Sequence, residues 1–281
     1  MLCCLGDLVE DIVVRLGGAV AVGTDTDATI VRRRGGSAAN VAVAAATRTD
    51  AVRFIGRVGA DPAGSMVVAA LSDAGVDPVV QRGGRTGTIV VLVDSAGERS
   101  MLRDRGAAAE LDAIPPGGLD GVRWLHVPAY SLAEDPVAGV ARHAVEVVRS
   151  RGGSVSVDAS STAVIGALGP DRFTRMLGAL GPDVVFCNAD EAEMLFGDIV
   201  TSVTPGSITV VKHGGGSAVA WVDADVIAEE PANDIGPVSD TTGAGDAFAG
   251  GYLAAAIDGA GLSESLRAAH NTAAGVLTAD D

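Results

Sequence analysis

The stretch best equipped for chemistry is Asp240-Thr241-Thr242-Gly243-Ala244-Gly245-Asp246, an acidic side chain set directly behind a run of small residues. It follows an acidic, proline-containing segment and opens an alanine-rich run, Ala247 to Ile257, that reads as a helix. Gly243, Ala244 and Gly245 leave room for backbone N–H groups to converge on an anion, and the helix dipole adds partial positive charge there. A carboxylate facing such a hole repels the anion it should bind. Asp246 makes sense if it takes a proton from a hydroxyl that then attacks the anion, which is the geometry of phosphoryl transfer to an alcohol. The other reading is a helix start with Thr as cap and Asp favoured by the dipole. This stretch alone leaves both open.

A second small-residue stretch, Gly35-Gly36-Ser37-Ala38-Ala39-Asn40, precedes a helical run, Val41 to Thr47. A glycine pair lets a helix begin with its backbone open to a ligand, with Asn40 facing inward one turn along. Small residues packed where a helix meets a sheet would look the same. No third spaced glycine follows, so this is not a dinucleotide fingerprint. Further polar groups end apolar runs: Asp7 after Leu2 to Leu5, Asn188-Ala189-Asp190-Glu191 after Val184 to Cys187, and Gly214-Gly215-Gly216 after Ile208 to Lys212.

The elements that must position these groups alternate. Strands are expected over Leu2–Leu5, Val52–Ile55, Trp124–Val127, Ser154–Asp158, Val184–Cys187 and Ile208–Lys212, with Ala218–Val222 hairpin-paired beside the last. Helices are expected over 63–74 with Pro62 in the first turn and Gly75 ending it, 136–149, near 172–180, 191–196, after Asp246, and 262–277. The segment Gly56 to Gly64 reads as a loop. Such alternation means a parallel sheet with right-handed crossovers, which puts Asp7, Asn188, Glu191, the triple glycine and the Asp246 loop at one edge. Val9–Leu16, Ala28–Arg33, Thr88–Asp94 and Arg99–Leu102 instead read as short antiparallel pieces of a small sheet set off from the body, the last two a hairpin around Ser95-Ala96-Gly97-Glu98.

At 281 residues the chain is one large domain or a domain plus a small one. It is 48% hydrophobic but only 3% aromatic, so the core is aliphatic, as a helix-covered parallel sheet requires. A net charge of -16 excludes a nucleic-acid partner, which needs a basic face. Lys212 is the only lysine. Cys3, Cys4 and Cys187 lie in apolar runs without metal-ligand spacing, and are expected buried and reduced in a cytoplasmic protein. No uncharged apolar stretch reaches membrane-spanning length, and no basic leader or cleavage site opens the sequence.

With both glycine stretches, Gly56-Arg57-Val58-Gly59-Ala60-Asp61 and the Asn188-to-Glu191 stretch in this order, the chain resembles a carbohydrate kinase of the ribokinase-like (PfkB) family over its whole length. The resemblance implies an α/β fold: a ribokinase-like three-layer sandwich with a central mostly parallel sheet and a small antiparallel β lid. It implies one domain, 1–281, with lid segments about 10–34 and 86–105. It implies ATP-dependent phosphorylation of a small sugar or sugar acid. Asp246 would be the base, and the N–H groups of Gly243, Ala244 and Gly245 the anion hole. Asn188 and Glu191 match an NxxE motif that positions Mg²⁺ through water; capping of a helix start is the alternative for Glu191. Asp11, Gly35, Gly36 and Asn40 match the substrate groups. Lys212, Gly214 and Gly215 lie at the nucleotide loop, and His270 or Asn271 near the adenine. An exposed strand charge remains the alternative for Asp11, a helix-start polar residue for Asn40, and a solvated helix face for His270 and Asn271. Asp240 and Thr242 match part of a K⁺ site found in some relatives; its other ligands lie beyond the last helix, and this sequence ends at Asp281, so either that site is incomplete or the sequence is trimmed. The lid implies a homodimer interface in many relatives.

The acceptor is less determined. Relatives specific for ribose carry a glutamate near the position of Tyr130 and a polar residue at that of Val9. Arg103 or Arg105, after the second hairpin, could meet a carboxylate or phosphate, which favours a sugar acid such as 2-keto-3-deoxygluconate or a sugar phosphate; solvated lid arginines are the alternative. A nucleoside kinase would need more apolar or aromatic lid residues than are present. A non-catalytic sugar-binding relative would have lost Asp246 or Glu191, and both are there.

Overall fold

Short aliphatic runs bounded by glycine and acidic residues make the strands, and alanine-rich amphipathic runs make the helices that cover them. In the computed structural model, which describes residues 1–94, 97–238 and 241–279, the strands are β1 (Leu2–Leu5), β2 (Val9–Leu16), β3 (Ala28–Gly35), β4 (Val52–Val58), β5 (Asp77–Arg82), β6 (Thr86–Val93), β7 (Arg99–Gly106), β8 (Trp124–Pro128), β9 (Ser154–Asp158), β10 (Val184–Asn188), β11 (Ile208–Lys212), β12 (Ala218–Val222) and β13 (Asp225–Glu230). The α-helices are α1 (Ser37–Ala46), α2 (Pro62–Asp73), α3 (Val137–Ser150), α4 (Thr162–Leu168), α5 (Pro170–Leu180), α6 (Ala189–Phe196), α7 (Ala244–Ile257) and α8 (Leu262–Ala279).

A nine-stranded sheet runs in the order β13-β12-β11-β10-β9-β8-β1-β4-β5. It is parallel from β5 to β11, and β12 and β13 add an antiparallel edge. One apolar cluster joins the sheet to α3, α4, α5 and α6, centred on Leu125, Val157, Phe173 and Leu177. The other joins it to α1, α2, α7 and α8, centred on Phe54, Phe186, Leu253 and Leu266. Each fully buried side chain of this kind contributes about 1.5–3 kcal/mol. The result is the expected three-layer sandwich. The three cysteines are buried within it, and burial pushes the Cys3 thiol up to about 12, leaving it inert. Among the described residues no helix is long and apolar enough to cross a membrane.

A separate four-stranded sheet has the order β3-β2-β6-β7. Its outer pairings are antiparallel, as expected, but the central β2–β6 pairing that joins them is parallel. Of the expected hairpin turn between β6 and β7, Ser95 and Ala96 lie outside the described residues.

Some elements depart from expectation for identifiable reasons. Pro78 hides β5, which tolerates it as the edge strand. The hairpin before β13 turns on Asp223 and Ala224, both at positive φ (48° and 72°), without the glycine that normally announces such a turn. Helix α4 fills part of the stretch between the strand ending at Asp158 and the helix expected near 172–180. Helix α1 starts at Ser37, before Val41, because Gly36 at φ 104° turns the chain into it. Strand β4 continues to Val58 through the expected loop.

Two glycines set the approach of α1 to its neighbours. A Cβ on Gly36 would stand 2.2 Å from the Asp7 carbonyl oxygen. One on Gly250, a turn after Asp246, would stand 2.6 Å from the Val41 carbonyl oxygen. The backbones of α1 and α7 therefore touch, and Asn40 is brought against Asp246.

Candidate active site

The carboxyl edge of the sheet opens into a cleft of about 1110 Å³. Asp246 in the first turn of α7 stands in its wall, half-buried. Its carboxylate accepts from Ser37 Oγ at 2.7 Å and from Asn40 Nδ2 at 2.9 Å. Arg34 Nη1 donates to Asn40 Oδ1 at 2.8 Å, which fixes the amide with its NH₂ toward Asp246. Burial pushes the Asp246 carboxyl up to about 6, against the two hydrogen bonds. A carboxylate with such a value changes protonation near neutrality, as a general base should.

The anion hole differs in detail from expectation. Gly243 caps α7 in the left-handed region at φ 81°. The N–H groups of Gly243 and Gly245 have no protein acceptor among the described residues, whereas that of Ala244 closes a turn onto the Thr241 carbonyl at 3.3 Å. Lys212 stands beside this hole, with Nζ 3.3 Å from where a Gly245 Cβ would be. Its ammonium pairs with Asp158 Oδ2 at 2.8 Å, and the other Asp158 oxygen accepts from the Ser160 N–H at 2.8 Å. Burial works against the Lys212 charge, but Asp158 and then Glu191 hold its pKa above the ordinary value.

Asn188 and Glu191 form a capping box at the start of α6: Glu191 N–H donates to Asn188 Oδ1 at 2.9 Å, and Asn188 N–H donates to Glu191 Oε2 at 2.8 Å. The capping alternative is thus realised, yet both residues also line the cleft. Burial and then the nearby Asp158 charge raise the Glu191 pKa. Two carboxylates repelling each other beside an anion hole suit a divalent cation, which would relieve both. Among the described residues no three His, Cys, Asp or Glu side chains gather as a metal-binding group.

Gly214, Gly215 and His270 line the cleft as expected. His270 Nε2–H donates to the Glu230 carbonyl at 3.0 Å, and the ring packs edge-on against Phe248. Burial lowers its pKa. Asn271 is exposed and bonded to Asn233 instead, so the cleft is reached by its partner and not by Asn271. The hydroxyl of Thr242 accepts from Arg99 Nη1 at 2.6 Å, an unfavourable neighbour for K⁺; Asp240 lies outside the described residues.

The expected substrate groups sit behind and above the cleft. Asn40 spends both ends of its amide on Arg34 and Asp246, so it orients the Asp246 carboxylate. Gly35 is required where it is: a Cβ there would stand 2.1 Å from Asp11 Oδ1. Asp11 is half-buried on the small sheet, its pKa raised by burial against the opposing Arg33 and Arg34 charges. Arg103 and Arg105 lie within β7, not after it. Arg105 forks onto Asp7 at 2.7 and 2.8 Å, so its partner is the protein's own carboxylate, while Arg103 is exposed.

Comparison with known proteins bears on what this cleft does. The model of the pfkB family of carbohydrate kinases matches residues 1–280. The chain belongs to the pfkB family of carbohydrate kinases. It is 31% identical to a fructokinase from Vibrio alginolyticus, over 82% of this chain and 78% of the relative. It is 34% identical to an ATP-dependent ribose-1-phosphate kinase from Halopiger xanaduensis, over 91% of this chain and 84% of that one. Among solved structures, an adenosine kinase from Sinorhizobium meliloti superposes with a TM-score of 0.83 at 21% identity, covering 99% of this chain and 93% of its own, a likeness of fold. This pfkB-family kinase also has site residues that sequence reasoning passed over. Ser37 and Arg99 carry no local signal. Asp158 did carry one, as an acidic residue ending a strand at the same edge as Asn188 and Lys212.

Proposed function

We propose that this ATP-dependent carbohydrate kinase transfers the γ-phosphoryl group to a hydroxyl of a small sugar or sugar acid, with Asp246 as general base. The observation that carries this assignment of roles is the pairing of a half-buried carboxylate, its pKa raised to about 6, with the N–H groups of Gly243 and Gly245, which have no protein acceptor among the described residues. Asp246 accepts the hydroxyl proton as the oxygen attacks. The two N–H groups meet charge developing on the transferred group; one such donor is worth roughly 3–4 kcal/mol of barrier. Lys212, Gly214 and Gly215 hold the phosphates, and His270 with Phe248 walls the base. Glu191, Asp158 and Asn188 would hold Mg²⁺, which when bound would supply charge neutralisation for the phosphates. The small sheet, residues about 10–34 and 86–105, closes over the acceptor and excludes water that would otherwise compete with it. Buried reduced cysteines suit the cytoplasm.

The test is ATP turnover over a panel of sugars, sugar acids and nucleosides at several pH values. With sugars kcat should rise with pH through about 6, because only the ionised Asp246 takes a proton. A response confined to nucleosides would replace the sugar reading, and a flat profile would remove Asp246 from its role.

We also propose a homodimer through the small sheet. Cross-strand rows Ile30–Val14–Leu92 and Ile12–Val90–Leu102 lie on the face opposite Asp11, and Ile30 and Leu102 are 62% and 59% exposed. An apolar face of this kind asks to be covered. Leu102→Glu should convert a dimer to monomer in sedimentation velocity; a wild-type chain that sediments as a monomer at micromolar concentration refutes the interface.

A further inference from the structure

The residues Arg33, Asp11, Ile89 and Arg103 stand directly opposite one another across β3, β2, β6 and β7, and so share one face of the small sheet. This is the face turned to the site. Asp11 seats on Gly35 in it, and Met101 and Arg99 of the same alternation line the cleft. The row carries two guanidinium groups, Arg33 and Arg103, and one carboxylate, Asp11.

The other arginines nearby are engaged elsewhere. Arg105 is forked onto Asp7, Arg34 is held on Asn40, Arg32 is paired with Glu10 and Arg85 with Asp104. Arg99 reaches the anion-hole loop at Thr242. Arg103 has no carboxylate within ion-pair distance among the described residues, and it is exposed. Its charge is felt at Tyr130, a residue of the cleft wall. Burial raises the Tyr130 pKa, a hydrogen bond with Ser161 opposes this, and the Asp246 and Arg103 charges then act on it with opposite sign. Both charges are thus felt at this part of the cleft wall. Arg103 is four residues along β7 from Arg99, about 13 Å for an extended strand. Arg99 lies at the Thr242 loop and Arg103 at the other end of this run.

We infer that the acceptor is an anionic sugar, its phosphate or carboxylate held by Arg103 at the end remote from the hydroxyl on Asp246. This rests on the kinase reading above and adds the substrate class to it. The charge of the acceptor does the selecting. Asp11, whose own charge would repel an anion, is offset by Arg33 directly opposite it. A neutral sugar leaves Arg103 without a partner and gains nothing from it.

The experiment measures ADP release with a neutral pentose and a neutral hexose, their monophosphates, and an aldonic acid as acceptors, for wild type, Arg103→Gln and Arg103→Lys. A phosphate or a carboxylate acceptor should be preferred over its neutral counterpart, and the better of the two arms identifies the anion. Arg103→Gln should raise KM for that acceptor by about 10- to 100-fold with kcat little changed, as loss of a charge-assisted contact does. Arg103→Lys should restore part of it, and KM for neutral sugars should not move. Preference for a neutral sugar, with Arg103→Gln indifferent, overturns the anionic acceptor and leaves the kinase intact. Phosphorylation of none of the sugars overturns both.

Discussion

Asp246→Asn should lower kcat by about 10²- to 10⁴-fold and, above pH 6, should raise the stability of the fold. The first effect follows from the proposed role of Asp246: the amide keeps the shape of the carboxylate but cannot accept the hydroxyl proton. The second follows from the same burial that tunes it. The folded-state pKa, about 6, lies above the ordinary aspartate value, so the ionised carboxylate is less favourable in the folded chain than in the unfolded one. That penalty is fully present above about pH 6 and disappears as pH falls toward 4. An amide carries no charge to desolvate, still accepts from Asn40, and can donate to Ser37 through its NH₂. The gain is about 1–3 kcal/mol, or a few degrees in Tm for a chain of this size. Calorimetry of both proteins at pH 5, 6, 7 and 8, beside single-turnover rates, checks the pair of effects. A variant that is inactive but less stable at pH 8 would mean that Asp246 is chiefly a structural acceptor for Ser37 and Asn40. One that stays active would end its role as base.

What was legible in the sequence was what is written locally. Gly243, Ala244 and Gly245 ahead of Asp246 mark an open helix start because only small residues let the backbone face outward there. The Asn188–Glu191 spacing marks another helix start, and the structure shows both its capping bonds. What stayed hidden is pairing over distance. Asp158 and Lys212 are 54 residues apart, and Asn40 and Asp246 are 206 apart. No pattern within either segment says which partner it will meet. The bonds of Asn40, expected as a substrate group, to Arg34 and Asp246 are hidden in this way. So is the pairing of Arg105 with Asp7, 98 residues earlier. The strands β5 and β13 were missed for a local reason. Edge strands tolerate a proline, and a two-residue turn can be forced onto Asp223 and Ala224 when the flanking strands fix its shape.

Lys212→Met should destabilise the protein by about 3–5 kcal/mol, the usual result of removing one partner of a buried ion pair. The pair lies deep: the two side chains are 15% and 9% exposed. Without the ammonium, Asp158 Oδ2 loses its donor at 2.8 Å, and the charges of Asp158 and Glu191 face each other unscreened. A second substitution separates this cost from any role toward ATP. Asp158→Asn combined with Lys212→Met leaves no orphaned charge, so most of the lost stability should return. Affinity for Mg·ATP should not return with it. The ammonium beside Gly245 is then still missing from the anion hole, and KM for ATP should remain roughly tenfold or more above wild type, the effect of one lost charged contact. Denaturant unfolding and ATP-dependent kinetics on the three proteins give both readings. Recovery of ATP affinity together with stability would show that Lys212 serves only to neutralise Asp158, and the phosphates would then have to be held by the backbone of Gly214, Gly215, Gly243 and Gly245 with the metal.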